Sequence, residues 1–154
     1  IKSQNYKHAR SSGINEDSAR KIAFAPHLNI GVFSLEKESI CWEVWQKNLK
    51  KTLSKGKIFG SEGLAINLSV YVDNVPTEFL PLNCNWIVSN LLPKYDTEQE
   101  VFVEPNLPNY QIGIMHLAGG VWVGKKDIRA HSDLKIDIET LKADTVQKSL
   151  RYKS

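Results

Sequence analysis

The stretch Tyr110-Gln-Ile-Gly-Ile-Met-His-Leu-Ala-Gly-Gly120 contains the strand pattern on which the predicted fold depends. Residues 112–115 form a short apolar run between upstream prolines and a downstream glycine pair, which is typical of a buried strand bounded by turns. The predicted strand ends on His116, and Gly119 and Gly120 then allow a sharp bend or a close approach to a ligand. Because open α/β sheets bind ligands at strand ends, His116 either faces a ligand or is an ordinary core histidine.

The composition predicts an ordinary globular protein. With 154 residues, of which 42% are hydrophobic, the chain can bury a real core. No apolar run reaches the roughly 20 residues of a membrane span, and no signal-peptide pattern opens the chain. Cys41 and Cys84 form neither a disulfide framework nor a metal-spaced pair, so we expect buried thiols, a reducing compartment and a cytoplasmic location. The net charge of +3 is too small to favour nucleic acid as a partner.

The chain divides into three parts that form one domain or part of one. Residues 1–22 are polar and basic, and we expect a loop, which is either a lid or simply a mobile end. Residues 23–120 contain the main α/β pattern, with a buried strand over 28–35. Residues 121–154 end in a predicted β-hairpin, with strands over 134–140 and 145–152.

Two amphipathic helices are predicted between the first strand and the rest of the sheet. Ser39 is the expected N-cap of a helix that runs to about Leu53, with an apolar face at every fourth residue. Ser61 is the expected cap of a second helix, from Glu62 to about Val72. The predicted fold class is therefore α/β, with two main helices and a C-terminal hairpin.

The sequence contains none of the usual catalytic motifs, such as a glycine-rich phosphate loop, HExxH or GxSxG. The acidic pair Asp137 and Glu139 alternates along a hairpin strand, and we expect both side chains on its solvent face.

Single polar residues at the edges of apolar elements are the remaining site candidates. Asn29, beside Gly31, either closes a turn or faces a ligand. Glu62 lies in the first turn of a helix, where the helix dipole alone favours a carboxylate. Asn67 is a poor helix former in mid-helix, so it either bonds a neighbouring loop or faces a site. The full candidate set is Asn29, Glu62, Asn67, Asn85 and His116.

Four of these segments, in their order along the chain, resemble the C-terminal half of a nucleotide-sugar glycosyltransferase with the GT-A fold, most like glycosyltransferase family 8. His27-Leu-Asn-Ile-Gly-Val resembles the family's FNAGV strand. Ser61-Glu-Gly-Leu-Ala-Ile-Asn resembles its DQxxLN helix start. Leu80-Pro-Leu-Asn-Cys-Asn-Trp resembles LPxxYNW, and His116-Leu-Ala-Gly resembles HxxG.

The resemblance implies a role for each matched residue. His116 would be a ligand of a divalent metal, expected to be Mn²⁺, and Glu62 would occupy the acidic catalytic position. The substrate-binding residues would be Asn29, Asn67, Asn85, Trp86, Gly119, Lys125 and Lys126, with the two lysines on the phosphates.

The chain also departs from the family pattern. Gly63 stands where the family has Gln, and Cys84 stands where it has Tyr. The Lys-Pro-Trp that follows the family's HxxG is absent, and so is an Asp-x-Asp metal motif. The resemblance therefore implies that this chain forms the C-terminal portion of a GT-A-like mixed sheet, and that an N-terminal half, upstream or on another chain, completes the enzyme.

The expected function is transfer of a sugar from a nucleotide-diphosphate donor to a carbohydrate or other hydroxyl acceptor. The alternative is a non-catalytic carbohydrate-binding or scaffolding domain derived from such an enzyme. A nucleic-acid binder that uses the basic ends is a distant third.

Overall fold

The computed structural model describes residues 2–120, 122–123, 126–131 and 133–151. They belong to two compact units, Ile1–Phe79 and Leu80–Ser154. The first unit contains the helices α1 (Lys2–Ser11), α2 (Glu16–Phe24), α3 (Cys41–Leu53) and α4 (Ser61–Tyr71). The second contains a 3₁₀ turn (Leu82–Cys84) and the strands β1 (Trp86–Ile87), β2 (Lys94–Asp96), β3 (Val101–Val103), β4 (Met115–His116), β5 (Trp122–Val123), β6 (Lys126–Asp127), β7 (Ile136–Glu139) and β8 (Thr145–Lys148). The predicted α/β class is confirmed, but the predicted two main helices and mixed sheet are not: the described residues form four helices and separate two-stranded sheets.

The N-terminal segment is helical, so the predicted loop over 1–22 is wrong. The Asn15 side chain caps α2 by accepting a hydrogen bond from the Ser18 N–H at 2.8 Å. Between α1 and α2, Gly13 has a φ of +78°, and the Ile14 N–H bonds the Ala9 carbonyl at 3.1 Å. This is a Schellman-type helix end, which needs the left-handed conformation that glycine adopts without strain.

Helix α4 is the centre of the first unit because it is buried on two sides. Leu64 and Leu68 pack with residues of α1 and α2. Ile66 packs in a second cluster with Cys41 of α3. A helix that is apolar over most of its surface is expected to be surrounded in this way. The predicted helix and its buried stripe are both confirmed, but the N-cap is Gly60, and the expected cap Ser61 is the first residue of the helix.

Helix α3 ends at the predicted residue, but its N-cap is Ile40 and not the expected Ser39, and its buried face differs from the predicted apolar stripe. The buried side chains of α3 are Cys41, Asn48 and Thr52. Trp42 and Leu53 are 42% and 41% exposed. The polar side chains are buried because they have partners. The Asn48 amide donates to Ser69 Oγ at 3.0 Å, for example.

The predicted strand over 28–35 does not form, so this expectation is also wrong. Asn29 Oδ1 accepts a hydrogen bond from the Gly31 N–H at 2.8 Å, which closes an Asx turn near the start of the segment. Phe33, expected to be buried, is 51% exposed. Strand propensity depends on a pairing partner and a buried face, and local turn chemistry dominates here.

The strands of the second unit that the structure describes pair two by two: β1 with β4, β2 with β3, β5 with β6, and β7 with β8. Isolated bridges join Tyr95 to Thr140 and Val103 to Gln111. The predicted hairpin is confirmed as β7–β8, and Ile136 and Ile138 are buried while Asp137 and Glu139 are exposed. The outward position predicted for this acidic pair is therefore correct.

The strand predicted over 112–115 is shorter than expected and only half-buried. Strand β4 contains Met115 and His116 alone. Ile112 is buried at 8% exposure, but Ile114 is 46% exposed. In the described part of the chain, none of the helices combines the length and apolar character required to cross a membrane.

Candidate functional site

A parallel pair of short strands brings two of the predicted site segments together. Trp86 lies opposite Met115, and Ile87 lies opposite His116. The Trp86 N–H bonds the Ile114 carbonyl at 2.9 Å, and the Val88 N–H bonds the His116 carbonyl at 3.2 Å. Because the strands are parallel, their carboxyl ends lie at the same edge, where open sheets commonly bind ligands.

Asn85 and His116, which are both half-buried, are in direct contact at this pair of strands. Asn85 Oδ1 lies 3.0 Å from His116 Nδ1. Asn85 precedes β1, and its N–H bonds the Leu82 carbonyl at 3.0 Å, closing the 3₁₀ turn. The structure therefore brings together a predicted metal ligand and a predicted sugar-binding residue that are far apart in sequence.

Gly119 lies beside a residue that the sequence analysis missed. The φ of Gly119 is +79°, and a Cβ atom there would lie 2.7 Å from Ser89 Oγ. Glycine is therefore needed both for the backbone conformation and for the space occupied by the Ser89 hydroxyl. The sequence did contain a signal for Ser89, because it is the first polar residue after the apolar run that contains β1.

Trp86 and the lysines of the second unit take separate positions. The Trp86 indole N–H donates to the Leu91 carbonyl at 2.9 Å. Its ring packs against the core cluster that includes Val88 and Tyr95, which gives it a structural role. Lys126 is exposed on β6. Lys125 lies outside the described residues.

Asn67 is a core residue. It has 0% exposure. Its Nδ2 donates to the Gly63 carbonyl at 2.7 Å, and its Oδ1 accepts from the Leu28 N–H at 3.2 Å. Of the two alternatives for Asn67, the structure shows the one in which it bonds a neighbouring loop.

The other two candidates of the first unit are on its surface. Asn29 is exposed and closes the turn with Gly31. Glu62 is exposed in the first turn of α4, and its backbone carbonyl accepts a hydrogen bond from the Trp45 indole at 3.2 Å. At Gly63, an added Cβ would meet nothing within 4 Å. The sequence predicts that Asn29 and Glu62 share one crevice with Asn85 and His116, and this stays a prediction.

Of the candidate residues in the second unit, His116 could supply one ligand of a divalent metal site. Within the ranges that the structure describes, no three His, Cys, Asp or Glu side chains are grouped so that they could hold a metal ion. One imidazole does not bind Mn²⁺ well, because this cation prefers several oxygen ligands. The contact between His116 and Asn85 is nevertheless the arrangement that orients ligand histidines through their second nitrogen.

The pKa values of Cys41 and Asp127 are displaced by clear physical causes. Burial raises the pKa of the Cys41 thiol, in keeping with its 3% exposure. The pKa of Asp127 is lowered, chiefly by hydrogen bonds from the Arg129 side chain and then from its backbone N–H. Arg129 Nε lies 2.7 Å from Asp127 Oδ2. Asp127 follows Lys126 directly, so this part of the surface carries charges of both signs.

Comparison with protein-family models, with curated proteins and with solved structures found no match to this chain.

Proposed function

We propose that the chain is the C-terminal region of a GT-A-type glycosyltransferase, which moves a sugar from a nucleotide-diphosphate donor to a hydroxyl acceptor. The observation that carries the proposal is the contact of Asn85 with His116 at 3.0 Å. These residues belong to two of the four segments that resemble the family. Gly119, in the second of these segments, adjoins the same pair of strands.

In this proposal His116 is the ligand that this chain contributes to Mn²⁺. The remaining ligands are assigned to the N-terminal half that the resemblance implies, since the described residues contain no group of three or more His, Cys, Asp or Glu side chains that could hold a metal ion. When bound, the metal neutralises charge on the departing diphosphate. Lys125 and Lys126 are assigned to the phosphates.

The roles of the polar residues follow their positions. Glu62 and Asn29 are exposed and remain assigned to catalysis and to sugar hydroxyls, respectively. Carboxylate and amide groups supply the directional hydrogen bonds that hydroxyls need. Asn67 is assigned to holding the loop at Leu28. Asn29 is the next residue of this loop.

Donor hydrolysis tests the proposal. The intact protein that carries this chain is incubated with a panel of nucleotide-diphosphate sugars and Mn²⁺, and release of the nucleotide is measured. We expect His116→Ala to reduce the release by about 100-fold or more, as for other residues that hold or orient a metal ligand set. His131→Ala is the matched control, because His131 is an exposed histidine of the same unit, and it should leave the rate unchanged.

A carbohydrate-binding domain without catalysis is the second candidate. The lone imidazole and the open space at Gly63, where the family has Gln, favour it. Glycan binding by the intact protein, with no turnover of any donor, would support this candidate and reject the enzyme.

A further inference from the structure

The contact between Asn85 and His116 bears on which imidazole nitrogen carries a hydrogen. Asn85 Oδ1 lies 3.0 Å from His116 Nδ1. An amide oxygen can only accept a hydrogen bond, so Nδ1 must be the donor. A neutral imidazole has one N–H, and therefore Nε2 has a free lone pair in this arrangement.

The backbone holds both side chains in this geometry. His116 is fixed by strand pairing, since its carbonyl accepts a hydrogen bond from the Val88 N–H at 3.2 Å. Asn85 is fixed by the 3₁₀ turn, in which its N–H bonds the Leu82 carbonyl at 3.0 Å. Half-burial of both residues limits competition from water for the contact.

We infer that Asn85 is a positioning residue, which holds His116 in the Nδ1–H tautomer and makes Nε2 the electron-pair donor at the end of β4. Free imidazole side chains in water favour the opposite tautomer, with the hydrogen on Nε2, so the contact changes what the site can do. A lone pair on Nε2 can bind a divalent cation or accept a hydroxyl proton, whereas an Nε2–H group can do neither.

The contact with His116 gives Asn85 a different role from the one that the resemblance implied. The resemblance to glycosyltransferases implied that its amide holds a sugar hydroxyl. The geometry instead directs its oxygen to His116, so its effect on a substrate would be exerted through the imidazole. The tautomer does not depend on sugar transfer, and the two proposals can therefore fail separately.

Nitrogen NMR of the ring tests the tautomer. The ¹⁵N-labelled protein is recorded at a pH at which the imidazole is neutral, and the His116 signals are assigned by their loss in His116→Gln. We expect a protonated-type shift for Nδ1 and an unprotonated-type shift for Nε2. An Nε2–H pattern in the wild-type protein would overturn the inference, whatever the donor-hydrolysis assay shows.

Two substitutions at Asn85 separate positioning from simple packing. Asn85→Asp keeps an oxygen acceptor and should retain the Nδ1–H pattern. Asn85→Leu has a similar volume without an acceptor, and the two ring shifts should exchange toward the Nε2–H pattern. His131 should keep its shifts in both variants. An unchanged Nδ1–H pattern in Asn85→Leu would contradict the inference, and if that variant does not fold, the wild-type and Asn85→Asp spectra decide.

Discussion

The Asn67 side chain bonds the peptide groups of Leu28, a residue distant in sequence and next to Asn29. Oδ1 accepts from the Leu28 N–H at 3.2 Å, and Nδ2 reaches the Leu28 carbonyl at 3.5 Å. Among the described residues, the segment 28–35 has no strand partner. The buried amide of Asn67 bonds its backbone instead. The hydrogen bonds of the Asn67 side chain, and not a ladder of backbone hydrogen bonds, join the segment to α4, and Ile30 and Leu35 pack against the cluster that contains Ile66 of α4.

We expect Asn67→Ala to lower the free energy of unfolding by about 2 kcal/mol, because it leaves buried backbone groups without a partner. Urea unfolding followed by circular dichroism measures the effect. Gln46→Ala is the control, since Gln46 is an exposed amide on α3, and it should change the free energy by less than about 0.5 kcal/mol. Equal effects in the two variants would show that the Asn67 contact does not hold the loop.

Substitution at Gly119 should be costly. Gly119→Ala introduces a Cβ at a φ of +79° and 2.7 Å from Ser89 Oγ. We expect a loss of about 1–2 kcal/mol from the backbone conformation, with further loss from the clash. Ser89→Gly in the same protein should recover the part due to the clash, and thermal unfolding of the two variants measures this recovery.

Gly63→Ala is the matched control for Gly119→Ala. An added Cβ at Gly63 meets open space, and the residue lies within α4. We expect a gain of up to about 1 kcal/mol, because alanine favours the helix over glycine. The assignments of both glycines would be wrong if the two substitutions changed the melting temperature in the same direction.

A stabilising substitution is expected in the turn between β7 and β8. Ala143 is exposed and has a φ of +63°, a conformation that costs an L-residue with a Cβ roughly 1 kcal/mol or more. Ala143→Gly should therefore raise the stability of the second unit. Ala130→Gly, at an exposed turn position without a positive φ, should not raise it. Thermal unfolding compares the two variants.

Acid should weaken the pairing of Asp127 with Arg129. The pKa of Asp127 is lowered in the folded protein, so its contribution to stability is present above the ordinary aspartate pKa of about 4. The contribution is lost as the pH falls through the lower, folded value. Asp127→Asn should therefore be less stable than the wild-type protein at neutral pH, and the difference should disappear in acid.

Urea unfolding at a series of pH values, at low and high salt, checks this dependence. The difference between wild type and Asp127→Asn should shrink in high salt, because the pair is near the surface. Glu78→Gln is the control, since Glu78 is exposed, and it should show no comparable difference at neutral pH.

Regular periodicity was sufficient to predict some of the elements. The hairpin β7–β8 follows an alternation of period 2 with one buried face. Helices α3 and α4 were predicted from apolar repeats, although α3 buries Asn48 and Thr52 and α4 is buried over most of its surface. Helices α1 and α2 were missed because they offer few apolar positions. Ala9, Ile14 and Ile22 are buried against Leu64 and Leu68, so these helices depend on tertiary packing. The cap at Asn15 was the available signal.

Sequence patterns could not predict two other features: the absence of the strand expected over 28–35, and the contact between Asn85 and His116. The segment 28–35 has the right residues but lacks a partner, and sheet propensity is largely an effect of partners. The second depends on the register of a parallel pair, in which Ile87 lies opposite His116. No spacing in the sequence encodes that register. The sequence could nominate both residues, but it could not predict their contact.

The parallel pairing of β1 with β4 also has a consequence for how the second unit folds. Two parallel strands cannot be joined by a tight turn, so the intervening chain, which contains the β2–β3 hairpin, must complete a loop before Trp86 meets Met115. Closing a long loop has an entropic cost that is recovered only when the non-local contacts form. The β7–β8 hairpin is local and can form early. The neighbourhood of His116 is therefore expected to be among the last parts of this unit to assemble.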